Sequence, residues 1–182
     1  MNVETTALPG VLLCTLKIHQ DERGSLCEVY AANRYQEHGI TYDFVQDNLT
    51  QSRRGVLRGL HFQHQHPQGK LLTVLSGCIY DVVVDIDPQS PTFMQYIAVE
   101  LNAALHQQLW VPPGYAHGFY TLSETATVLY KCTAAYMPDD QYGIAWNDPQ
   151  LGIVWPEKIP LLSQNDQQWP TLALWLDLTK AR

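Results

Sequence analysis

Through the middle of the chain, apolar positions come in short runs rich in Val, Ile, Tyr and Thr, broken by Gly, Pro, Asn and Asp. The runs predict strands over 71–75, 79–86, 96–101, 107–111, 117–122 and 126–131. Between them stand Ser76-Gly77, Asp87-Pro88-Gln89-Ser90-Pro91 and Pro112-Pro113-Gly114. Breaks recurring about every ten residues are the signature of an all-β sandwich or barrel. Two short segments with helical character, 31–38 and 171–178, predict peripheral helices. The expected fold is all-β: a jelly-roll β-barrel with a few short helices outside it.

Length and charge narrow this. The 182 residues suit a single domain over 1–182, and 46% hydrophobic against 16% charged residues excludes general disorder. A net charge of −7 argues against a nucleic-acid or anionic-membrane surface, which needs a broad basic field. It leaves room for a phosphorylated small molecule, which a few local arginines can hold. No run approaches the roughly 18 apolar residues of a membrane span. The apolar stretch 11–16 has no basic residues before it, unlike a signal peptide. Cys14, Cys27, Cys78 and Cys132 lie far apart with no C-x-x-C, as expected of reduced thiols. The expectation is a soluble cytoplasmic protein.

The candidate chemistry is unevenly distributed. Six of the eleven basic residues, Arg23, Arg34, Arg53, Arg54, Arg58 and Lys70, fall within 23–70, as do His61, His64 and His66. Cations beside imidazoles suit an anionic substrate that undergoes proton transfer. His64 and His66 read as an exposed polar loop, while for His61, between Leu60 and Phe62, a functional reading stands ahead of a structural one. Pro112-Pro113-Gly114-Tyr115-Ala116-His117-Gly118-Phe119 holds His117 at the mouth of a barrel behind a rigid turn. P-x-G-x-x-H is half of a metal-binding barrel motif, and His64-x-His66 matches part of the other half. The carboxylate that should follow is missing, and Lys70 stands nearby, so no metal is expected. Tyr130-Lys131 closes the last strand-like run, and Tyr136 follows it.

Together these segments resemble the dTDP-4-dehydrorhamnose 3,5-epimerase family of cupin-fold enzymes. The resemblance rests on Asp21-Glu22-Arg23-Gly24 with Glu28, Gln46-Asp47-Asn48, and Arg58-Gly59-Leu60-His61-Phe62-Gln63 with Gln68-Gly69-Lys70. It continues through Asp81 to Asp85, the Pro112 to Phe119 segment, Leu129-Tyr130-Lys131, Tyr136-Met137-Pro138 and Ser163 with Asp166. It implies a cofactor-free and metal-free isomerase that inverts C3 and C5 of a dTDP-4-keto-6-deoxyhexose through an enolate. In that reading His61 is the base, Asp166 its partner, Tyr130 the acid, and Lys70 stabilises the oxyanion. His117 lines the sugar pocket, Arg23 and Arg58 meet the pyrophosphate, Gln46 and Asn48 meet the nucleotide, and Tyr136 stacks on the thymine. Gln141 joins the substrate-binding set, standing where the family commonly has Glu; Leu26 and Asn165 are further departures, at aromatic and lysine positions. The resemblance further implies a homodimer in which the N-terminal strand crosses over, so that Arg23 and Glu28 complete the partner's site. Epimerisation at C3 or C5 alone, or sugar-nucleotide binding without catalysis, are the alternatives.

Overall fold

The computed structural model describes residues 1–180. Every apolar run in 71–131 forms a strand within a residue or two of its expected ends: β7 (Lys70–Ser76), β8 (Cys78–Asp85), β9 (Tyr96–Asn102), β10 (Gln107–Val111), β11 (Tyr115–Thr121) and β12 (Thr125–Cys132). Before them come β1 (Asn2–Thr5), β2 (Leu12–Thr15), β3 (Ile18–Asp21), β4 (Gly24–Cys27), β5 (Gln46–Arg53) and β6 (Leu57–Gln63), and after them β13 (Gln141–Gly143). The helices are α1 (Ala32–Gln36) and α2 (Leu172–Lys180). None of the described helices is long and apolar enough to cross a membrane.

A six-stranded sheet, β1-β2-β10-β7-β12-β5, faces a five-stranded sheet, β13-β6-β11-β8-β9, in a jelly roll. Alternation along each strand sorts its side chains between the interior and an outer face. One part of the interior is packed with Leu72, Val74, Ile79, Val83, Leu109, Phe119, Ala126 and Val128. Outside the five-stranded sheet, Leu172 and Trp175 of α2 cover Leu60, Phe62, Val82 and Val84. Outside the six-stranded sheet, Tyr35 and Ile40 cover Leu71 and Trp110. The β3–β4 hairpin pairs with neither sheet among the described residues, and all but Cys27 of its strand residues are exposed.

One irregularity positions the site. Along the β6–β11 pair, His117 faces His61 but Phe119 faces Arg58, so β6 carries one more residue than its partner over this stretch. In a regular strand, residues three apart point to opposite faces; the extra residue restores the phase, so that Arg58 and His61 both face inward. Gly59 takes up the extra residue at φ +128°, and a Cβ there would lie 2.6 Å from Gly118 Cα and 2.8 Å from the His117 carbonyl oxygen. Gly118 is equally confined, since its Cβ would meet the Arg58 carbonyl oxygen at 2.7 Å. The glycines of the R-G-L-H and A-H-G-F segments thus serve a single close backbone approach.

Candidate active site

The part of the interior not filled by apolar side chains is a cavity of about 250 Å³ lined by both sheets. Arg58 and His61 of β6 and His117 and Phe119 of β11 enter from the five-stranded sheet, and Gln141 of β13 from its edge. Asn48 and Thr50 of β5, Lys70 of β7 and Tyr130 of β12 enter from the facing sheet. Register explains that second set: Tyr130 is paired with both Asn48 and Leu72, and Cys132 with Lys70, so these inward positions lie side by side. Gln68 and Tyr136 add the loops at the mouth.

His61 meets Asp166 through Nε2, 2.5 Å from Oδ1. Asp166 is 4% exposed, and its carboxylate is saturated: Trp169 Nε1 donates to Oδ1 at 3.2 Å and Ser163 Oγ to Oδ2 at 2.8 Å. Burial pushes the Asp166 carboxyl up, but the bond to His61, its charge, and the Ser163 and Trp169 donors together hold it below the usual carboxylate range. An ionised carboxylate on Nε2 leaves Nδ1 as the free nitrogen of the ring, which makes no hydrogen bond among the described residues.

A second imidazole–carboxylate pair lies beside the first. Nε2 of His117 is 2.9 and 3.0 Å from the two oxygens of Asp81, which is fully buried. Lys70 is half-buried with no carboxylate within ion-pair distance among the described residues. Burial pushes its ammonium down, opposed by the thiol of Cys132 and the carboxylate of Asp81. On the same sheet, burial pushes the Tyr130 phenol up, with Cys132 adding to this and the Arg58 guanidinium opposing it. Tyr130 therefore carries its proton at neutral pH. Arg58 reaches the mouth, its Nε bonded to Ser52 Oγ at 2.9 Å.

Of the residues expected from the sequence, His61, Lys70, Asn48, Arg58, His117, Tyr130, Tyr136 and Gln141 line the cavity, and Asp166 stands behind His61. Gln46 lies one step out: its Nε2 donates to Asn48 Oδ1 at 3.0 Å, and its Oε1 accepts from the Tyr136 N–H at 2.8 Å. Arg23 and Glu28 are not in this cavity; Arg23 pairs with Asp21 at the exposed hairpin turn and Glu28 with Arg34. His64 and His66 are exposed, His64 against Trp175 and Tyr142 and His66 near Asp140, so His64-x-His66 does not converge on His117. Among the described residues no three His, Cys, Asp or Glu side chains are grouped to hold a metal ion. Sequence reasoning gave no role to Thr50, Gln63, Gln68, Asp81, Ser163 or Trp169. Asp81 carried a signal: a carboxylate between Ile79 and Val83 in an apolar strand needs a buried partner.

A carboxylate-held imidazole and a protonated phenol, on opposite walls of one pocket beside an ammonium with no ion-pair partner among the described residues, are equipment for moving protons on and off carbon. That chemistry suits an isomerase built on a jelly roll. A family model described as dTDP-4-dehydrorhamnose 3,5-epimerase matches residues 5–173. The dTDP-4-dehydrorhamnose 3,5-epimerase of Salmonella typhimurium is 47% identical, covering 94% of this chain and 96% of its own. The crystal structure of the Legionella pneumophila dTDP-6-deoxy-D-glucose-3,5-epimerase, in complex with dTDP-4-keto-L-rhamnose, superposes with TM-score 0.92 at 46% identity, covering 95% of this chain and 93% of that one. A 3'-monoepimerase of Streptomyces bikiniensis, in complex with dTDP-quinovose, gives TM-score 0.90 at 32% identity, covering 96% and 89%. The chain belongs to the dTDP-4-dehydrorhamnose 3,5-epimerase family.

Proposed function

We propose that the protein epimerises dTDP-4-dehydro-6-deoxy-D-glucose at C3 and C5 to give dTDP-4-dehydro-L-rhamnose. The observation that carries this is the split of the pocket: the His61–Asp166 pair on one sheet and Tyr130 on the other. Inverting a carbon centre means removing a proton from one face of the ring and returning one to the opposite face, and here a base and an acid stand on opposite walls. The ketone at C4 acidifies the C–H bonds on either side of it. Nδ1 of His61 takes the proton from carbon, the electron pair moves into the ring as an enolate, and negative charge develops on the C4 oxygen. Lys70 is the cation for that charge, held in a pocket where a fixed donor is worth more than in water. Tyr130 then gives its proton to the opposite face of the same carbon. The half-cycle leaves an imidazolium and a phenolate, which reset by exchanging protons with solvent before the second centre turns over. Asp166 fixes the imidazole tautomer and stabilises the imidazolium. The proton balance closes without a redox cofactor or a metal.

His117 and Gln141 surround the sugar end, Gln46 and Asn48 meet the nucleotide, and Arg58, exposed at the mouth, receives the pyrophosphate. Tyr136, half-exposed at the rim, stacks on the base. The β3–β4 hairpin, which pairs with neither sheet among the described residues, supports a homodimer: it carries Arg23 at its turn and Glu28 at its end, both exposed and held outside this cavity by Asp21 and Arg34, for a partner's pocket. Four free thiols agree with a cytoplasmic setting.

The test is incubation with the dTDP-4-keto-6-deoxyhexose in D₂O, following deuterium at C3 and C5 by NMR. Both positions exchange in the proposed reaction, and His61→Ala loses both. Exchange at C3 alone would make this a single-centre epimerase, as the Streptomyces bikiniensis relative is described to be. Exchange at neither, with saturable dTDP-sugar binding, would leave a binding protein. In Tyr130→Phe, exchange should outlast product formation; loss of both together would remove Tyr130 from the acid role.

A further inference from the structure

We infer that Gln63 is a positioning residue: it holds the segment around Tyr136 so that the ring stands as a ready platform for the nucleobase. The inference rests on the reading of Tyr136 as the stacking surface and goes beyond it, to what keeps that surface in place. Between β12 and β13 the chain has little apolar anchorage. Residues 135–139 are all exposed, Tyr136 at 51% and Met137 at 40%. A segment without buried apolar side chains is ordinarily loose, because nothing offsets the backbone entropy of holding one conformation.

Here the restraint comes from below. Gln63, 6% exposed, follows His61 by two residues on β6 and so shares its inward face. Its Nε2 donates to the carbonyl oxygens of His66, at 2.9 Å, and Ala135, at 3.2 Å, and its Oε1 accepts from the Met137 N–H at 2.9 Å. Both amide hydrogens and the carbonyl oxygen are engaged, so the side chain has one orientation. The two residues it grips in the segment, Ala135 and Met137, bracket Tyr136. Gln46 takes the N–H of Tyr136 itself, and Gln68 donates to the Ala134 carbonyl at 2.7 Å. Of these three glutamines only Gln63 is buried, and only Gln63 holds the segment on both sides of the ring. Gln63 also faces Gln141 across the β6–β13 pair, so one residue ties the platform to the strand that enters the sugar end of the pocket.

The consequence is energetic. If the platform conformation fell to about a tenth of the population once freed, apparent nucleotide affinity would fall by that same factor. The experiment measures dTDP binding by calorimetry, and KM and kcat with the keto sugar, for wild type, Gln63→Leu, Tyr136→Ala and the double variant. Expected are a dissociation constant for dTDP raised about tenfold in Gln63→Leu, KM raised in step, and kcat changed less than twofold, because His61, Lys70 and Tyr130 sit on strands that the segment does not carry. The double variant should bind no worse than Tyr136→Ala alone, since a platform without its ring has nothing left to position. Wild-type dTDP affinity in Gln63→Leu beside weakened Tyr136→Ala, or additive losses in the double variant, overturns the inference. Wild-type affinity in Tyr136→Ala shows instead that the stacking reading has failed, and the positioning role with it. Should Gln63→Leu not fold, Gln63→Glu keeps the Met137 bond but sets a carboxylate against two carbonyl oxygens, and the same rise is expected.

Discussion

Gly59→Ala is the substitution that tests most directly how the fold aims the site. The new methyl would sit 2.6 Å from Gly118 Cα and 2.8 Å from a carbonyl oxygen, both backbone, at φ +128°. Neither neighbour is the free end of a side chain, so the strain cannot be shed locally. A sparsely populated backbone conformation costs about 1–3 kcal/mol and an overpacked methyl about as much again. With a midpoint of about 4 kcal/mol and about 2–4 °C per kcal/mol for a chain of this size, thermal unfolding should come about 8–16 °C earlier. Gly39→Ala is the matched control: φ is +84° but nothing lies within 4 Å of the added atom, which leaves only about 1–2 kcal/mol of backbone strain. Calorimetry of both variants isolates the close approach, and deuterium exchange on the same samples reports the aim of His61. Should the chain escape by giving up the extra residue in β6, His61 turns to the outer face and turnover falls by about 10²–10⁴. A Gly59→Ala protein that melts with Gly39→Ala and turns over as wild type would refute the argument that the bulge aims the base.

Other outcomes follow from the electrostatics of the pocket. Asp166→Asn should lower turnover by about 10²–10⁴ and cost stability in a pH-dependent way. Because the folded carboxyl lies below its ordinary 3.8, its contribution is present above that value and lost as pH falls through the lower folded one. Melting curves of wild type and Asp166→Asn should therefore converge in strong acid; a gap that stays constant down to low pH contradicts this. Lys70→Met removes a half-buried cation that has no ion-pair partner among the described residues, so it should raise the melting temperature by a few degrees while cutting turnover by about 10²–10³. A less stable but fully active Lys70→Met protein would remove Lys70 from the oxyanion role.

The strands readable in the sequence are those whose inward side chains are apolar. In β7, β8 and β12, residues such as Leu72, Val83 and Val128 belong to short apolar runs, continuous in β7 and β8 because both faces of those strands are buried. β5 escapes that test because its inward positions, Gln46, Asn48 and Thr50, are polar and serve the pocket, while Leu49 points outward and is exposed. β6 escapes for another reason: the extra residue at Gly59 breaks the period-two pattern midway. β3 has no apolar face because all four of its residues are exposed. Site residues showed the same division. Those inside compact motifs, His61, Lys70 and His117, stood out, whereas Ser163 and Trp169 serve the site by bonding Asp166, and Trp169 by packing edge-on to His61, a dependence that exists in space and leaves no spacing rule behind.

The placing of His61 and Tyr130, the proposed base and acid, on facing sheets has a consequence for how the barrel can vary. The distance a proton must travel at each face of the sugar is set by how far apart the sheets are held, and the apolar layer between them works as a shim. Leu72 is the cross-strand neighbour of Tyr130, and Val83 that of His117. Thinning or thickening that layer by a methylene tilts one wall against the other, and a shift of a few tenths of an ångström at a proton-transfer distance is felt in rate before it is felt in folding. Residues that touch no substrate are thereby held to the tolerances of the chemistry, and the interior of this protein doubles as the gauge of its active site.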